Sequence, residues 1–154
     1  MTVPSHARAV IIGGGVVGCS IAYHLGKLGW RDVVLLERKQ LTCGTTWHAA
    51  GLIAQLRATQ NMTRLAKYSQ ELYFGLEAET GVATGFKRNG SITVALTDER
   101  MEELRRSAAM ARAFGVEIDE ISPSDIASRY PGLSVDDAVG GVWLPKDGQA
   151  DPVN

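Results

Sequence analysis

One stretch constrains the fold of this chain more than any other: Gly13-Gly14-Gly15-Val16-Val17-Gly18, a match to G-x-G-x-x-G set between two apolar segments. The segment before it, Ala7 to Ile12, is short, apolar and rich in branched side chains, which predicts a strand buried in a parallel sheet. The segment after it places Val17, Ile21, Ala22, Leu25 and Leu28 at helical spacing, with Gly29 as a natural stop. Val33 to Leu36 is a second apolar run, and it ends at Glu37. Strand, glycine turn, helix and strand make a βαβ unit, whose crossover is expected to be right-handed.

Each position of the turn has a physical task in such a unit. Gly13 allows the tight turn, Gly15 lets the backbone approach a pyrophosphate, and Gly18 permits close packing of helix on strand. The helix N-terminus, with its unsatisfied amides, faces the phosphates. A carboxylate at Glu37 accepts hydrogen bonds from a ribose diol and repels a 2′-phosphate. These residues point to a dinucleotide, NAD or FAD, without choosing between them.

Composition removes other classes. Of 154 residues, 45% are hydrophobic and 21% charged, with formal net charge −1, which suits a globular core and supplies no footprint for nucleic acid. The two cysteines, Cys19 and Cys43, form no Cys-x-x-Cys pair, so neither a disulfide scaffold nor a structural zinc site is expected. His6, His24 and His48 have no metal-ligand spacing, and no metal is expected. No apolar run reaches the roughly 18 residues of a membrane span, and MTVPSHARAV has no signal-peptide core. The expectation is a cytoplasmic protein.

Residues 38 to 60 follow neither helical nor strand period and read as a long loop with a short helical portion. A helix is expected from Asn61, as cap, to Thr80, with Leu65, Tyr68, Leu72 and Leu76 on its core face and Gly81 as stop. Gly90 to Leu96 alternates like a strand. Asp98 to Phe114 reads as a helix whose stripe is Met101, Leu104, Ala108 and Ala111, ended by Gly115. Its charges, such as Asp98, Glu102, Arg105 and Arg106, make a solvated face with intrahelical pairs. Val116 to Ile121 alternates again, and Ser122-Pro123-Ser124-Asp125 is a capping box for a brief helix ending before Pro131. Val139 to Leu144 is the last expected strand. Asp151-Pro152 resembles a helix start with nothing following it, and only one βαβ crossover is present, so a fragment of a longer protein is expected.

The loop after Glu37 contains Gly44-Thr45-Thr46-Trp47-His48-Ala49-Ala50-Gly51-Leu52. By residue type alone His48 is a packed core histidine, a metal ligand or a general base. Its place after the second strand puts it at the carboxyl edge of the sheet, where open α/β folds bind ligands. Thr45 and Thr46 offer hydroxyls, and Ala49, Ala50 and Gly51 leave room for a flat ligand. Arg57 could meet a substrate carboxylate, though an isolated arginine is ordinarily a solvated surface residue. Cys43 is expected to be an inert thiol.

The stretches IIGGGVVGCSIAYHLGKLG, VVLLERKQLTCGTTWHAAGLIAQLR and KDGQADP together resemble the start of the dimethylglycine dehydrogenase and sarcosine dehydrogenase family, flavoproteins of the D-amino-acid-oxidase type. The resemblance runs over essentially the whole chain, and T-W-H-A-A-G is its most specific part. It implies FAD carried covalently on His48 through the flavin 8α carbon, an attachment point rather than an acid or base. It places Glu37 and Arg38 on the adenosine ribose, Val16 and Val17 on the phosphate turn, and Gly44 to Leu52 against the flavin. No catalytic residue is assigned within these 154 residues. It also implies hydride transfer from an N-methyl group to the flavin, giving an iminium that is hydrolysed to formaldehyde or trapped by tetrahydrofolate. The tetrahydrofolate would bind a C-terminal domain absent from this chain. Electrons would pass to an electron-transfer flavoprotein or to oxygen.

The implied architecture is α/β: a Rossmann-like FAD-binding βαβ portion over residues 1-84, then the start of an interleaved, antiparallel substrate-side sheet over 85-154. Two alternatives stand beside this one. The first is an amine oxidoreductase of the same type with non-covalent FAD, and the second is a non-catalytic FAD-binding fragment acting as a regulatory module.

Overall fold

The expected βαβ unit forms. In the computed structural model, which describes residues 4–152, β1 (Ala9–Ile12) and β2 (Val33–Leu36) pair in parallel from Ala9 opposite Val33 to Ile12 opposite Leu36. They are joined by α1 (Val16–Lys27). The helix ends as the glycine signal requires. The Gly29 amide donates to Gly26 O and the Trp30 amide to Leu25 O, each at 2.9 Å, a Schellman closure around Leu28. The burial expected of β1 is not seen: only Ile11 of the strand is buried, Ile12 is 88% exposed and Val17 on α1 69%, because β2 is the single strand paired with β1 among the described residues.

The connection after β2 contains one turn of 3-10 helix at Thr46–His48. This is the short helical portion expected there. By compactness the chain divides between Ala50 and Gly51, earlier than the expected functional boundary after residue 84. The reason lies in β3 (Leu52–Ile53), which pairs antiparallel with the distant β7 (Gly148–Gln149). Both strands are two residues long, too short to show a period in sequence. Gly51 is needed there, because a Cβ on it would lie 2.3 Å from Ala150 O.

In the second unit, α2 (Gln60–Thr80) begins one residue before the expected Asn61, and its cap is Thr59, whose Oγ1 accepts the Met62 amide at 3.4 Å. Gly81, in the left-handed region, ends it as expected. The buried side of α2 differs from the expected one. Leu65 and Tyr68 are exposed, Leu72 and Leu76 are half-buried, and the fully buried residues are Thr63 and Gln70. Hydrogen bonding explains the exchange. Thr63 Oγ1 accepts the Arg57 amide at 3.1 Å and donates to Arg57 O at 3.2 Å. Gln70 accepts from Gln55 Nε2 at 3.0 Å and donates to Lys146 O. The helix turns its hydrogen-bonding side inward because these partners stand opposite it, and buried polar groups that are paired cost little.

The antiparallel sheet expected in the later part is present, with β6 (Gly140–Leu144) central between β4 (Ser91–Ala95) and β5 (Asp119–Ile121). Against it lies α3 (Asp98–Ala113), capped by Thr97 and burying the expected stripe of Met101, Leu104, Ala108 and Ala111. These join Ala95, Val116, Ile118, Val142 and Leu144 in one core. Each large aliphatic side chain so buried contributes about 1.5–3 kcal/mol. Val116 and Ile118 are buried ahead of β5 rather than within it, so the expected strand is shorter than its apolar alternation. The capping box at Ser122 and Asp125 opens α4 (Pro123–Arg129) as expected, and Ile126 on α4 is fully buried. Asp151 and Pro152 start no helix, and residues 153–154 lie outside the described residues.

Candidate functional site

The glycine turn carries the geometry its pattern requires. Gly13 has φ +106°, a conformation closed to residues with a side chain, and its amide donates to Leu36 O at 2.8 Å. A Cβ on Gly18 would stand 1.9 Å from Gly13 O and 3.4 Å from Ile11 Cγ2, so only glycine lets α1 sit this close to β1. Gly15 is the N-cap of α1 and has no side chain to cap it. In its place Thr46 comes across from the later loop, and its Oγ1 accepts the Val16 amide at 3.0 Å. A Cβ on Gly15 would lie 3.2 Å from the same oxygen.

Glu37 is fixed by the turn rather than left free at the strand end. Its Oε2 accepts the Gly14 amide at 2.8 Å and its Oε1 the Lys39 amide at 2.9 Å. The Gly14 amide is the largest cause, followed by the Lys39 amide, holding the Glu37 carboxyl below the usual carboxylate range. Each oxygen keeps a further lone pair for an incoming hydroxyl.

Gly14 stands at an unspecified position of the G-x-G-x-x-G pattern, yet it is tied on both sides of its peptide. Its amide meets Glu37, and its carbonyl accepts from the Thr42 amide at 2.9 Å and from Cys19 Sγ at 3.6 Å. A Cβ there would lie 2.5 Å from Leu41 Cδ2. The signal was a third glycine inside the motif. Thr42, with φ +62°, left no such signal, because an αL threonine is set by the contact it makes.

The structure thus brings Gly13, Gly15, Val16, Gly18, Glu37 and Thr46 together around the first turn of α1, with Val17 exposed on that turn. Arg38, Gly44, Thr45, Ala49 and Ala50 are exposed along the connection. His48 ends the 3-10 turn, exposed, with its ring centroid 3.8 Å from that of Trp47 and the planes tilted by 32°. It is therefore not a packed core histidine. Among the described residues no group of His, Cys, Asp and Glu could hold a metal ion, and no helix is long and apolar enough to cross a membrane. Gly51 and Leu52 belong to the second unit, where they serve the pairing of β3 with β7. Arg57 is exposed there and donates to Leu56 O at 2.8 Å, and Cys43 is exposed in the first unit.

The family model described as FAD dependent oxidoreductase matches residues 8–154. The mouse protein named mitochondrial sarcosine dehydrogenase is 43% identical over 97% of this chain, which covers 16% of that relative. The rat mitochondrial dimethylglycine dehydrogenase is 44% identical over 95% of the chain and 17% of its own length. The mouse mitochondrial pyruvate dehydrogenase phosphatase regulatory subunit is 42% identical over 96% of the chain and 17% of its own. Among solved structures, L-proline dehydrogenase from P. horikoshii superposes with a TM-score of 0.90 at 30% identity, covering 98% of this chain and 40% of that one. The chain therefore spans about a sixth of the curated relatives' length.

Proposed function

The chain belongs to the FAD-dependent oxidoreductase family, and from that premise we propose that the whole protein oxidatively demethylates a small N-methylated glycine, sarcosine or dimethylglycine. The flavin part of the reading is carried by the glycine turn clasped by Glu37 and Thr46, with His48 two residues further along the same loop. The substrate class is supported by the 43% and 44% identity to proteins named sarcosine and dimethylglycine dehydrogenase. FAD, when bound, supplies the two-electron acceptor that the chain's own side chains lack.

The residues fit such a group. Gly13, Gly15, Val16, Val17 and Gly18 present the positive end of α1 to a diphosphate, and the sites where side chains would intrude are glycines. Glu37, held ionised, accepts from the adenosine ribose, with Arg38 beside it. Gly44, Thr45, Thr46, Trp47, Ala49 and Ala50, continuing to Gly51 and Leu52, form the run that lies against the flavin, and His48 is its covalent attachment point. Residues 1-84 act as the FAD-binding portion, and the antiparallel sheet that follows as the beginning of the substrate side. Electron-transfer flavoprotein as acceptor and tetrahydrofolate as formaldehyde trap belong to the same proposal. A cytoplasmic location rests on the sequence reading alone, and the vertebrate relatives are named as mitochondrial.

The test is acid precipitation of the full-length protein. Yellow colour on the pellet, lost in His48→Ala, is the expected result, and flavin free in the supernatant sinks the covalent assignment in favour of non-covalent FAD. Bleaching of the flavin by sarcosine or dimethylglycine checks the substrate class. A second reading is favoured by one observation, the similarity to a protein named as a regulatory subunit. If the full-length protein holds FAD that neither amine reduces, this non-catalytic reading replaces the first.

A further inference from the structure

Thr46 joins two features that are far apart in sequence. Its hydroxyl accepts the Val16 amide at 3.0 Å, at the N-terminus of α1. It is also the first residue of the turn that ends at His48, and its carbonyl accepts the Ala49 amide at 3.1 Å. Gly15 leaves the space for this approach, since a Cβ there would press to 3.2 Å on Thr46 Oγ1. We propose that Thr46 is a positioning residue, a hydroxyl clasp that seats the His48 turn on the phosphate end of α1. This deepens the reading of His48 as attachment point, and it rests on that reading only for its consequence.

The Val16 amide is one of the helix's orphan donors, and an acceptor from the chain itself satisfies it before any ligand arrives. A hydroxyl that accepts one hydrogen bond keeps its own hydrogen to donate outward, so the same oxygen can hold the turn and face an anion. Glu37 on Gly14 and Thr42 on Gly14 close the earlier part of the loop, but neither reaches the turn that carries His48. Thr46 alone among these contacts lies within that turn. Its effect on the attachment passes through His48, the last residue of the same turn.

Thr46→Val keeps the shape and removes the oxygen, and Thr46→Ser returns the oxygen without the methyl group. The first measurement is amide hydrogen exchange in the flavin-free full-length protein, followed at residues 44–50 and at Val16. Exchange at least tenfold faster in Thr46→Val, with wild-type protection in Thr46→Ser and unchanged protection in β1, is expected. Unchanged exchange at Val16 and Ala49 in Thr46→Val overturns the proposal, whatever the flavin does. The second measurement is the flavin retained after acid precipitation. Counted per FAD bound, the covalent fraction in Thr46→Val should fall below a tenth of the wild-type value, and Thr46→Ser should recover it. Full covalent retention in Thr46→Val also overturns the clasp. Wild-type protein without covalent flavin instead overturns the assignment of His48, and the exchange result then decides the clasp by itself.

Discussion

Replacing Gly18 by alanine tests the central steric argument, because the same helix contains its own control. The new Cβ would stand 1.9 Å from Gly13 O, where Cβ atoms essentially never approach closer than 3.0 Å, so the turn or the helix must retreat by about 1 Å. The atom it meets is backbone, held by the Gly13 amide's 2.8 Å bond to Leu36 O, and cannot rotate away as a flexible side chain would. Overpacking of this kind costs about 1–3 kcal/mol, and a strained turn hydrogen bond adds about 1 kcal/mol. Alanine's better helix propensity returns about 1 kcal/mol, leaving a net loss of about 2 kcal/mol. At Gly26 in the same helix a Cβ meets nothing within 4 Å, so Gly26→Ala should instead stabilise by about 0.5 kcal/mol. Urea unfolding of the two variants against wild type measures both values. A Gly18→Ala protein within 0.5 kcal/mol of wild type, or a Gly26→Ala protein destabilised as much as Gly18→Ala, refutes the steric account. Displacing Gly13 to Gly15 should also weaken FAD binding at least tenfold in Gly18→Ala and leave it unchanged in Gly26→Ala.

Two further predictions concern polar groups. Glu37 gains two amide donors on folding and its carboxyl titrates below its unfolded value, so its stabilising contribution is present above about pH 4.3 and is lost as pH falls through the lower folded value. The stability gap between wild type and Glu37→Gln should therefore narrow on acidification below that point; a gap constant from pH 7 to pH 3 counts against the two-amide clasp. Gln70→Leu in the second unit strands the buried Gln55 Nε2 and the acceptor of a half-buried bond, Lys146 O, and should cost about 2–4 kcal/mol in urea unfolding. A loss below 0.5 kcal/mol would mean that water or rearrangement satisfies both groups.

Features set by a local constraint were legible in the sequence. The βαβ unit, the stripe of α3 and the Ser122 capping box all rest on spacings within one turn or one element, and each lies where it was expected. Glu37 was legible as a strand-end acid because strand length and the glycine turn set its position. The buried side of α2 was misread for the opposite reason. Leu65 and Tyr68 have helical spacing, but Thr63 and Gln70 are drawn inward by Arg57, Gln55 and Lys146, and Lys146 lies far along the chain. The two-residue strands β3 and β7 carry no period at all.

Local chemistry therefore specified that this chain turns on glycines, runs a helix away from them and sets an acid at the next strand end. Those features follow from backbone sterics and from periods that a short window contains. Folding in three dimensions decided which donors those groups meet. It placed Gly14 under Glu37 and Thr42, brought Thr46 to the Val16 amide, and left His48 beside Trp47 at the surface. Hydrogen bonds between distant residues depend on how the loop closes, and no spacing within the loop encodes that closure.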